Sequence, residues 1–201
     1  MTTELALAAA AFCFAGALTP GPNNVMLLAS GVNFGFARTV PHMVGVVAGY
    51  AFLILVIGMG LGQTVVDHPV AFEALRVAGA VYMVWLAWKI ATTRGGPKDD
   101  GRGSPLTFFQ AVAFQWVNVK GVLLGISGVA AFTRPSDFTV TFTVLLVLAT
   151  LATLVSVLVW TSFGTGLRRL LADPRKARVF NVVMAVLLLA SLYPMLVEVR
   201  S

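Results

Sequence analysis

The chain has 201 residues, 58% of them hydrophobic and only 11% charged, with a mean hydropathy of +0.90. It is too apolar for a soluble domain of this length. A formal net charge of +6 would suggest nucleic acid in a soluble protein, but here it points to basic loops facing an anionic leaflet, with no nucleic-acid partner. A single cysteine, Cys13, excludes an intrachain disulfide and a thiolate metal cluster.

A helix needs about 20 residues to cross the hydrocarbon core. Six apolar stretches meet that length: Leu5 to Ser30, Val40 to Leu61, Phe72 to Ile90, Leu106 to Phe132, Phe138 to Phe163 and Ala177 to Val197. The first is read as a span, not a signal peptide, because the first basic residue is Arg38 and no basic leader precedes it. The expected fold is an all-α integral membrane protein with six transmembrane helices in one domain over 1–201.

The first span contains Leu18-Thr19-Pro20-Gly21-Pro22-Asn23-Asn24. Pro20 and Pro22 lack N–H groups, which strands the carbonyls of Gly16 and Leu18, and each disfavours helix at the residue before it. Lipid cannot satisfy such groups, so a broken helix at this depth must face protein or a wet cavity. Beyond the break, Asn23 and Asn24 open a second half-helix whose first N–H groups suit a carboxylate. The freed carbonyls of Gly16 and Leu18, with the asparagine oxygens, suit an ammonium group. Two poles within one turn match a zwitterion such as an amino acid. A proline kink whose asparagines only bond neighbouring helices is the plainer alternative.

In the second span, His42 is a candidate for proton coupling, set against a structural or interfacial role near the membrane surface. Gly45 and Gly49 have small-xxx-small spacing and allow a close helix contact within or between subunits, which leaves a homo-oligomer open. The third span carries Tyr82, Trp85 and Trp88 as interfacial anchors. The hydrophilic linker 93–104 then divides the chain into halves 1–92 and 105–201 with three spans each. An odd number per half forces opposite entry, the condition for two inverted three-helix repeats.

The fourth span answers to the first, and it too carries polar residues at mid-depth: Gln115, Asn118 and Lys120. A basic side chain at the bilayer centre costs roughly 2.5 to 3.5 kcal/mol on insertion scales. Lys120 is therefore expected to face a cavity, pairing with a substrate carboxylate or alternating between substrate and proton; the alternative is snorkelling or a structural partner such as Asn118. The loops after the first, third and fifth spans hold ten of the fourteen Lys and Arg residues. By the positive-inside rule both termini lie outside the cytoplasm.

Thr19-Pro20-Gly21-Pro22-Asn23-Asn24 in the first span and Asn118-x-Lys120 in the fourth, with Gly35-Phe36-Ala37-Arg38, Pro41-His42-Met43-Val44-Gly45 and Ala78 to Lys89, resemble the lysine exporter (LysE/RhtB) family. The likeness covers nearly the whole chain. It implies a secondary exporter that moves amino acids or close derivatives across the bacterial inner membrane, driven by a proton or ion gradient. The resemblance carries over Asn118 and Lys120, and the leading reading joins them to Pro20, Gly21, Pro22, Asn23 and Asn24 in one midplane site. One departure matters: that family typically has Asn-Pro-Lys in the fourth span, and here Val119 replaces the proline. Without it nothing local compels a second break, so the expected site is asymmetric, with only the first helix broken. The competing classes are an inorganic cation carrier, disfavoured by the lack of embedded carboxylates, and a scaffold subunit, which leaves Lys120 and the doubled proline without a purpose. An enzyme is not expected, the catalytic inventory being thin, and neither a cofactor nor a metal is called for.

Overall fold

A computed structural model describes residues 1–61, 68–93 and 104–192. Residues 94–103 of the 93–104 linker, the loop around Asp67 and the end of the sixth expected span, 193–197, lie outside the described residues. The described chain forms eight α-helices and no strand. These are α1 (Thr3–Leu18), α2 (Pro22–Phe34), α3 (Phe36–Val56), α4 (Pro69–Thr92), α5 (Phe108–Val117), α6 (Val119–Phe132), α7 (Phe138–Leu167) and α8 (Pro174–Ala190). Two stretches are long and apolar enough to cross a membrane unbroken, Phe36–Gly60 and Pro135–Leu167. The pairs α1 with α2 and α5 with α6 each make one more if counted as a bent span. Helices α4 and α8 occupy the places of the third and sixth expected spans; within the described residues neither is a full span by length and composition.

The first span breaks where the prolines require it. Thr19 donates its backbone N–H to Ala15 at 3.1 Å to close α1, and Pro22 starts α2 at its first position, where a missing N–H costs nothing. The two half-helices meet at 53°. The fourth span corrects the expectation of a continuous helix: α5 and α6 are bent by 66° at Asn118, more sharply than the proline break. Asn118 has φ −83° and ψ 87°, close to an inverse γ-turn. Its carbonyl then accepts from Val122 at 3.0 Å to begin α6. Asparagine is well tolerated at helix ends, but the Asn118 side chain makes no capping bond to α6, so the break is permitted at Asn118 and selected by the packing around it.

Long helix α7 is the central post, packed against α1, α2, α3 and α6, while α3 also packs on α5 and α4 on α8. Its Leu151, Leu154 and Leu158 are exposed, whereas Thr153, Ser156 and Thr161 are buried. An outward leucine stripe with hydroxyls inside is the arrangement of a helix in lipid, not in water. Glycines set the closest approaches. A Cβ on Gly164 of α7 would lie 2.3 Å from the Leu28 carbonyl oxygen of α2, and one on Gly31 would lie 2.5 Å from that of Thr161. On α3, a Cβ at Gly45 would lie 2.5 Å from the Phe108 carbonyl oxygen of α5 and one at Gly49 would lie 2.8 Å from the Val112 Cα. Their contact is thus within the chain. Gly35, at φ +80°, turns α2 into α3 in a conformation that few other residues tolerate.

Candidate functional site

Both breaks open on one cavity of about 70 Å³, room for on the order of five waters. Gly16, Gly21, Pro22, Asn23 and Asn24 line it from the first span, and Asn118 and Lys120 from the fourth. Seven of the residues singled out by sequence are thereby brought together. Leu18 and Pro20 are exposed and do not line it, although the Pro20 carbonyl takes part through Lys120. His42 also lies elsewhere, buried in α3 and facing a different cavity.

The loose carbonyls are supplied by side chains. Asn24 Nδ2 donates to the carbonyls of Ala17 at 2.8 Å and Thr19 at 2.9 Å. Ser156 Oγ on α7 donates to Ala17 at 2.7 Å and sits 3.1 Å from Asn24 Oδ1. Lys120 Nζ donates to Thr19 at 2.9 Å and Pro20 at 3.4 Å. The carbonyls that gain these donors are therefore those of Ala17, Thr19 and Pro20, neighbours of the two that counting back from each proline picks out. Asn23 is the joint between the halves: its amide exchanges hydrogen bonds with Gln115, at 2.8 Å and 3.2 Å, and Gln115 is anchored on the Ala111 carbonyl at 2.9 Å.

The ammonium of Lys120 occupies the carbonyl pole that the sequence suggests for a ligand ammonium. Asn118 Oδ1, by contrast, is buried without a hydrogen-bond partner. The N-terminal ends of α2 and α6 both reach this cavity, and each carries partial positive charge from its unpaired N–H groups. Tyr50, Ile54, Leu124 and Leu145 supply an apolar wall, and among the described residues no carboxylate lines the space. The arrangement suits an anionic group at the two helix ends and a small apolar group against the wall.

Sequence reasoning missed Cys13, Tyr50, Thr153 and Ser156. Thr153 and Ser156 have helical i, i+3 spacing on one face of α7. Hydroxyls are common in membrane helices, so only the packing of α7 against α1 and α2 distinguishes this pair.

Among the described residues, helices alone, with outward leucines and two broken apolar helices around a polar cavity, mark a multi-pass membrane protein. The LysE type translocator family model matches residues 14–191, and the chain belongs to that family. The expected membership in this group of amino-acid efflux proteins holds. The chain is 35% identical over 193 residues to the cysteine/O-acetylserine efflux protein of Escherichia coli O139:H28 (strain E24377A / ETEC), covering 94% of this chain and 96% of that protein. It is 35% identical over 192 residues to the protein of the same name in Escherichia coli (strain K12), at 94% and 95% coverage. For that of Shigella flexneri serotype 5b (strain 8401) the identity is 36% over 176 residues, covering 86% and 87%. No solved structure matches.

Proposed function

We propose that this translocator is a secondary exporter of small amino acids with uncharged side chains, or close derivatives, out of the bacterial cytoplasm. Cysteine and O-acetylserine, the cargoes in its relatives' names, are the first candidates. The observation that carries this reading is Lys120, whose ammonium rests on the Thr19 and Pro20 carbonyls beside two helix N-termini, in a cavity that no carboxylate lines among the described residues. The substrate carboxylate pairs with Lys120 and the helix ends. The carbonyls that Lys120 then leaves take the substrate ammonium. A lysine or arginine side chain would find no counter-charge there.

Six spans in two inverted repeats fit the same reading. In each half a broken helix is followed by a long one, and the packing is reciprocal: the first span against α7, the fourth against α3, and α4 against α8. Both termini lie outside the cytoplasm on the basic-loop count. Coupling to a proton or ion gradient falls to Lys120, the basic group in the central cavity, because His42 stands apart from it. The test is efflux of a panel of amino acids from cells overproducing the protein, with Asn24→Ala and Lys120→Ala at matched membrane levels. Export lost in both variants is expected. Wild-type export in both sinks the assignment.

A further inference from the structure

A second cavity, of about 40 Å³, lies further along α2, bounded by Ser30 and Asn33, by His42 of α3 and by Lys89 at the end of α4. His42 is only 1% exposed, yet neither Nδ1 nor Nε2 has a hydrogen-bond partner. The neighbouring polar groups are already engaged. Asn33 Nδ2 donates to Ala29 O and Asn181 Oδ1, both at 2.8 Å, and Ser30 Oγ and Thr39 Oγ1 lie 2.9 Å apart. Lys89 brings an ammonium, held 5.4 Å from the centre of the Trp85 ring. Among the described residues no carboxylate lines this cavity.

A buried polar group left unmade costs about 1 to 3 kcal/mol. A neutral imidazole offers one donor and one acceptor, so an occupant that completes His42 must both accept and donate. Beside the Lys89 ammonium the accepting end is anionic. One small molecule meets both demands when it carries a carboxylate and an ammonium together. Met26 and Leu86 give the remaining wall an apolar face for a short side chain. Helix α2 is common to both cavities. At 1.5 Å per residue, Ser30 lies about 9 Å along the axis from Asn24.

We propose that the His42–Lys89 cavity is a second binding site for the exported amino acid, a station between the central cavity and the face of the protein at which α4 ends. This rests on the export reading of the central site. It makes α2 the shared wall of a two-step path, with Lys120 receiving the carboxylate at one step and Lys89 at the other.

The test is the equilibrium stoichiometry of radiolabelled L-cysteine, kept reduced, on the full chain in lipid nanodiscs. Two molecules per chain are expected for the wild type and one for Lys120→Ala. One is also expected for His42→Phe and, as a second variant that leaves the ring in place, for Lys89→Ala. One molecule per chain in the wild type and none in Lys120→Ala would overturn the second site, leave water as the partner of His42 and keep the central reading. No bound L-cysteine in any form would overturn both. Two molecules per chain that survive His42→Phe and Lys89→Ala would place the second molecule elsewhere and overturn the assignment.

Discussion

The two helix breaks reach the same cavity by different physics. At Thr19 to Gly21 two prolines forbid the helix whatever surrounds it, and the freed carbonyls are then supplied by Asn24, Lys120 and Ser156. At Asn118 no residue forbids the helix, yet the bend is larger, 66° against 53°. At the first break the Ala17, Thr19 and Pro20 carbonyls all have side-chain donors. The second lies at an asparagine whose side chain caps neither half-helix and whose Oδ1 is unpartnered. One half therefore offers a finished scaffold and the other an open hydrogen-bonding position, and Lys120 spans the two.

Removing that span should have the largest effect. Lys120→Ala withdraws the ammonium from Thr19 and Pro20, and efflux is expected to fall at least about tenfold, equivalent to 1.4 kcal/mol; a variant that exports within twofold of wild type would separate Lys120 from the site. Asn24→Ala strikes the finished break. It strips a donor from both Ala17 and Thr19, so thermal unfolding in detergent should show a loss of about 1 to 3 kcal/mol as well as reduced efflux. Asn118→Ala is the counterpart on the open break. It removes an acceptor that has no partner, so stability should hold or rise while efflux drops severalfold; equal destabilisation in both asparagine variants would erase the contrast. The smallest effect belongs to Val119→Pro, because residue 119 is the first of α6, where proline is tolerated and the residue before it is already non-helical. Efflux within about twofold of wild type is expected, and a collapse would mean that the break depends on the Val119 N–H.

The contrast also explains what could be read in advance. Pro20 and Pro22 act through their own covalent geometry, so the first break and its pairing with Asn23 and Asn24 were legible from the sequence. Lys120 was legible because a basic group at mid-span is costly anywhere in a bilayer. The break at Asn118 was not, because asparagine only permits a helix end and the surrounding packing selects it. Thr153 and Ser156 escaped for a similar reason: α7 carries several hydroxyls, and only the approach of α1 and α2 brings these two to the site. His42 was noticed for its chemistry, but a place near the end of a span does not reveal burial, so its seat in a second cavity was not legible. The donors on Ala17 and Thr19 likewise depend on how α2 folds back on α1, which counting from each proline cannot supply.

The claim that Lys120 reads a substrate carboxylate can be measured without transport. L-Cysteine and its methyl ester differ in that group, and the concentration of each that half-maximally raises the unfolding temperature of the purified protein reports its binding. For the wild type, the ester should require at least about tenfold more than the free acid, about 1.4 kcal/mol, and Lys120→Ala should treat the two within about twofold. A Lys120→Ala protein that still favours the free acid tenfold would contradict the assignment.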